Sequence, residues 1–122
     1  MRPDDRLRSA LDDPFEVVES AVGGAHAIVR PEALRALTDG HFPGNPLVPG
    51  SHLLALFVAL VRATGHACSV DRIERAVFRE VVRPDARVVV RASAAADDWR
   101  VVEALVADRQ VARARLHTKV VA

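Results

Sequence analysis

Residues 40–50 read GHFPGNPLVPG, and residues 41–50 alone hold three prolines and two glycines. Proline removes a backbone donor and fixes φ, so neither a helix nor a central strand can run through this stretch. A rigid, ordered loop is the physical reading, because proline narrows the conformations that the chain gives up on folding. The next stretch has the opposite character. Residues 51–64 (SHLLALFVALVRAT) open on a good N-cap residue, and Leu53, Leu54, Leu56, Phe57, Val58, Leu60 and Val61 go nearly all the way round a helix. A helix that is apolar on every side is a buried one. Gly65 stands where a C′ glycine would close it.

The remainder is β in character. Residues 15–22 (FEVVESAV) read as a strand, Gly23-Gly24 as a turn and residues 25–30 as the returning strand of a hairpin. Pro31 and Asp39-Gly40 bracket a loop with room for one helical turn. Beyond the helix, residues 71–82, 86–94, 98–108 and 111–121 form four more β segments, with Arg83-Pro84-Asp85, Asp97-Asp98 and Arg109-Gln110 between them. Val88, Val90 and Ala92 alternate with Arg87, Val89 and Arg91, and Ala112, Ala114 and Leu116 with Arg113, Arg115 and His117. Alternation of this kind belongs to an antiparallel sheet with one buried and one wet face. The expected class is α+β: one buried central helix wrapped by a curved antiparallel sheet of five or six strands.

The length, 122 residues, fits a single domain over residues 1–122, with residues 1–13 as a polar lead-in that holds a short helix. There are 21 Ala and 20 Val against 4 Phe, 1 Trp and no Tyr. Small side chains remove little area from water, at roughly 25 cal/mol per Å² buried, so oligomerisation is expected. A single cysteine, Cys68, excludes a disulfide framework and a cysteine-based zinc site. His26, His66 and His117 lack metal-ligand spacing, so no metal site is expected. No apolar run is long enough to span a bilayer, and the first residues lack the apolar core of a signal peptide, so a cytoplasmic protein is expected. The net charge of +1 gives no nucleic-acid signature.

The stretch GHFPGNPLVPG resembles the signature of the 3-hydroxyacyl-acyl-carrier-protein dehydratases of fatty-acid synthesis (the FabA/FabZ family), where it leads into the central helix of a hot-dog fold. Residues 78–85 (FREVVRPD) look like a worn version of that family's aromatic-basic strand start and proline turn. The resemblance implies a single hot-dog domain that dimerises by joining edge strands into one sheet. It implies His41 as the base that removes the proton beside the thioester carbonyl, and the Gly50 N–H as the oxyanion donor. A helix N-terminus with unsatisfied N–H groups suits a developing enolate oxygen, and a histidine is a suitable base near neutral pH. Phe42, Leu53, Leu54, Ala55, Phe57 and Val58 are the implied walls of an acyl tunnel at the dimer interface. The implied partner is an acyl carrier protein whose own phosphopantetheine carries the substrate; no further cofactor, nucleic acid or membrane is implied.

One departure stands out. The family carries Glu or Asp fourteen residues after the histidine, and here that position is Ala55; a glutamine one turn on is replaced by Ala59. Four explanations stay open. A Glu- or Asp-bearing hot-dog homologue supplies the acid across a heterodimer interface. His52, one turn before Ala55, substitutes as proton donor, against the blander reading of a packed histidine. The site has moved to another thioester reaction, such as hydrolysis. Or the chain is a non-catalytic, carrier-binding subunit. Two basic runs, Arg113/Arg115/His117/Lys119 and Arg79/Arg83/Arg87/Arg91, are equal candidates for a solvated face or a carrier dock.

Overall fold

Among the described residues nine elements follow one another: α1 (Pro3–Asp12), β1 (Phe15–Ala21), β2 (Gly24–Val29), α2 (Pro31–Thr38), α3 (Gly50–Thr64), β3 (Cys68–Phe78), β4 (Val88–Ser93), β5 (Trp99–Val106) and β6 (Arg109–Val120). They come from a computed structural model that describes residues 3–21, 23–38, 47–64 and 68–120. The strands form one six-stranded sheet in the order β1-β2-β4-β5-β6-β3, with every neighbouring pair antiparallel. The sheet therefore has β1 and β3 at its edges, and α3 lies across its inner face.

Burial alternates as the sequence pattern requires. Ala25, Ala27 and Val29 of β2, Val88, Val90 and Ala92 of β4, and Ala112, Ala114 and Leu116 of β6 are buried on the helix side. Leu53, Leu56, Phe57, Leu60 and Val61 of α3 pack against them. The opposite flank of α3 is only half covered: Leu54, Ala55, Val58 and Ala59 are half-buried, and Arg62 and Ala63 are exposed. The expectation of a helix buried all round is met on one side in a single chain; the remaining flank is apolar and open.

Two local readings are corrected. The segment expected to hold one helical turn is the eight-residue α2, with Pro31 at its start and Glu32 in its first turn. Ala33, Leu34 and Leu37 recur at helical spacing and are all buried. The last hairpin turns at Ala107-Asp108, not at Arg109-Gln110; both turn residues have positive φ (52° and 63°), as a tight I′-type connection needs. Asp97-Asp98, read as a turn, is one, with φ of 52° and 66°.

Both edge strands are irregular. The β1–β2 register shifts between Phe15 and Val17. The β3–β6 register shifts twice, between Val70 and Arg72 and between Glu74 and Val77, and Arg75 there has φ 53°. These are β-bulges, which bend a strand and re-aim side chains. No helix among the described residues is long and apolar enough to cross a membrane.

Candidate active site

The start of α3 meets the end of β3 at a groove of about 340 Å³, lined by Leu47, Gly50, Leu53, Phe78, Glu80 and Val81 among others. Val48 anchors the approach through its N–H to the Val82 carbonyl at 2.7 Å. Pro49 C=O then accepts the N–H groups of His52 (3.0 Å) and Leu53 (3.1 Å), which opens the first turn. Gly50 and Ser51 come before any carbonyl that the helix itself could offer them, so the helix begins with unsatisfied donors and a partial positive charge. At position 50 a larger residue would have to displace a neighbouring ring. A Cβ there would stand 2.9 Å from Cζ of Phe78, whose ring lies against the backbone.

His52 sits one step further into α3 and is half-buried. Its Nδ1–H donates to the Leu37 carbonyl at 2.8 Å. Leu37 is in the last turn of α2, where carbonyls lack intrahelical partners, so the imidazole satisfies one of them. A carbonyl can only accept, and this contact therefore fixes the proton on Nδ1.

Ala55, Val58 and Ala59 line a second groove of about 640 Å³, together with Phe15, Val18 and Arg62. It lies between α3 and the α1–β1 corner. The implied tunnel residues thus part company. Leu53 joins Gly50 at the first groove, Ala55 and Val58 line the second, and Phe57 is fully buried in the core and lines neither. Leu54 is half-buried on the open flank of α3. His41 and Phe42 lie outside the described residues.

Sequence reasoning assigned no role to Phe78 or Glu80, which the fold brings to Gly50. Glu80 accepts from Arg109 Nε at 3.3 Å, and Arg79 donates to Gln110 Oε1 at 3.0 Å, so the β5–β6 hairpin braces this wall. The signal was the residue run 78–85, but only the sheet pairing shows that it ends against the helix N-terminus.

The basic run on β6 is largely engaged. His117 Nδ1 lies 2.6 Å from Asp71 Oδ1, Arg115 stacks on the Trp99 ring at 4.6 Å, and Trp99 meets the His117 ring edge-on. The His117 hydrogen bond holds the Asp71 carboxyl below the usual carboxylate range. Asp71 is the extra residue of the first β3 bulge, which turns it towards His117. Among the described residues, no group of three His, Cys, Asp or Glu side chains could hold a metal ion.

Comparison with known proteins places this architecture. A structure described as the dehydratase heterocomplex ApeI:P from Xenorhabdus doucetiae superposes with a TM-score of 0.72 at 17% identity, covering 85% of this chain and 95% of that one. An uncharacterized protein from Erwinia carotovora subsp. atroseptica gives 0.67 at 15% identity, covering 85% and 90%. The E. coli PaaI protein of the phenylacetic acid degradation operon gives 0.67 at 14% identity, covering 94% and 85%. These likenesses establish the hot-dog fold. No curated protein sequence matches the chain. The model of the ApeI-like family, described as ApeI dehydratase, matches residues 25–114, which run from β2 through α3 and the groove at Gly50 into β6, and the chain belongs to that dehydratase family.

Proposed function

We propose that this chain is one half of a composite dehydratase that converts 3-hydroxyacyl thioesters on an acyl carrier protein to trans-2-enoyl thioesters, in fatty-acid or polyketide-type synthesis in the cytoplasm. The observation that carries this reading is the separation of Gly50 from Ala55: they line different grooves on different sides of α3. A residue at position 55 serves a different site from the one its own Gly50 serves. With alanine there, this chain offers an oxyanion end but no carboxylate at that position.

In the proposed reaction His41 removes the proton on the carbon beside the thioester carbonyl. The electron pair moves onto the carbonyl oxygen, where the Gly50 N–H receives the charge. Collapse of the enolate forms the double bond and expels the β-hydroxyl, which takes a proton from an acid and leaves as water. The elimination is redox-neutral and calls for no metal. Among the described residues lining the Gly50 groove, Glu80 is the one carboxylate, and its bond from Arg109 makes it an acceptor, so the acid is assigned to a Glu- or Asp-bearing hot-dog partner. The structural likeness to a dehydratase heterocomplex supports a partner of this kind.

The test is an assay of the chain with a 3-hydroxyacyl carrier, alone and mixed with a hot-dog homologue that has Glu or Asp at the equivalent of position 55. Enoyl product only in the mixture, abolished by His41→Ala, is expected. Enoyl product from the chain alone overturns the composite site. Free thiol in place of enoyl product makes the chain a thioesterase, and full activity with His41→Ala makes it a carrier-binding subunit.

A further inference from the structure

We propose that His52 is a positioning residue: through Nδ1 it clamps the first turn of α3 to the last turn of α2 and so sets the direction of the Gly50 N–H. The proposal rests on the reading of that N–H as the oxyanion donor. Helix ends are the least constrained part of a helix, yet an oxyanion donor works only if it is held to within about 0.5 Å of the productive geometry. This helix start is held from several sides. On the α2 side is the 2.8 Å bond from His52 to Leu37 C=O. On the β3 side is the Phe78 ring against Gly50. At its approach is the bond from Val48 N–H to Val82 C=O.

The α2 anchor is firm. The Leu34 and Leu37 side chains are fully buried, Leu34 N–H bonds Arg30 C=O at 3.0 Å, and Arg30 N–H bonds Pro14 C=O at 2.7 Å. A carbonyl fixed in that frame is a good reference point for the start of α3. The bond also has a chemical signature. Nδ1 carries its hydrogen in both ring forms that can face a carbonyl, so the clamp needs no proton transfer. A proton-donor role for His52 would need one.

Asparagine at 52 can place an N–H where Nδ1 stands, and glutamine where Nε2 stands, which gives the test its discrimination. The complex of the chain with its partner subunit is assayed for kcat and KM on a 3-hydroxyacyl carrier, and amide exchange is followed in α2 and the first turn of α3. His52→Ala and His52→Gln are expected to lower kcat about 10- to 100-fold, with a smaller change in KM, and to speed exchange at the start of α3. His52→Asn is expected to recover most of both losses and to keep the alkaline limb of the pH–rate profile. If asparagine is as poor as alanine and that limb is lost, His52 is a proton donor. If glutamine rescues and asparagine does not, the working atom is Nε2. If all three behave as the parent, the bond is idle. Each of these outcomes overturns the proposal. A global loss of fold would speed exchange throughout, not at this junction alone, and the asparagine–glutamine contrast then decides. If the parent complex eliminates no water from any 3-hydroxyacyl carrier, the proposed function fails, and the exchange pattern alone judges the clamp.

Discussion

A single missing side chain at position 50 couples two elements that are distant in sequence. Alanine suits a helix better than glycine by about 1 kcal/mol, but its Cβ would press on the Phe78 ring. The sign of the change therefore depends on the neighbour. Gly50→Ala is expected to be neutral or destabilising in the parent and stabilising in a Phe78→Ala background, by roughly 0.5–1 kcal/mol in urea unfolding. The Asp71–His117 pair gives a pH prediction. A carboxyl held below its unfolded value contributes stability above that value and loses it as pH falls through the folded value. Urea midpoints of the parent should drop more steeply than those of Asp71→Asn as pH falls below 4, and the difference should shrink in salt, because Asp71 is exposed. Gly50 was legible because it closes a dense Pro/Gly motif. Phe78 and Glu80 were not, since nothing local to residues 78–80 says which element they will face.

Elements were easier to read than their junctions. The alternation of buried and wet residues announced β4 and β6, and the apolar run announced α3, because each signal is written within one element. Turn positions were legible only where residue type pays for the geometry. Asp97-Asp98 has side chains that tolerate positive φ, whereas Ala107 holds φ 52° with no such help and left no trace in the sequence. Ala107→Gly is accordingly expected to stabilise the chain by up to about 1 kcal/mol, read as a higher thermal midpoint. The same substitution at an exposed helical alanine, such as Ala63, should lower the midpoint.

At the scale of the molecule, the small-residue composition leaves its mark on what stays uncovered. Ile73 and Phe78 pair across β3–β6 with the buried Leu116 and Ala112, so they share the inner face, yet they are 40% and 47% exposed. They lie along the β3 edge, across the sheet from the α1–β1 corner that borders the open flank of α3, and a second subunit that joined at this edge would cover them. Ile73→Lys is expected to leave the chain folded by circular dichroism and to abolish its assembly in analytical ultracentrifugation; assembly that persists would place the interface elsewhere. The bulges in β1 and β3 bear on a different hazard. A chain so rich in valine has the makings of a fibril, and stacking without end requires a flat, evenly spaced border that each new copy can repeat. Neither border here keeps an even spacing over its length. A strand laid along β3 finds matched donors and acceptors only over a short straight run before the backbone turns away. The kinks in both borders work against indefinite edge-to-edge growth.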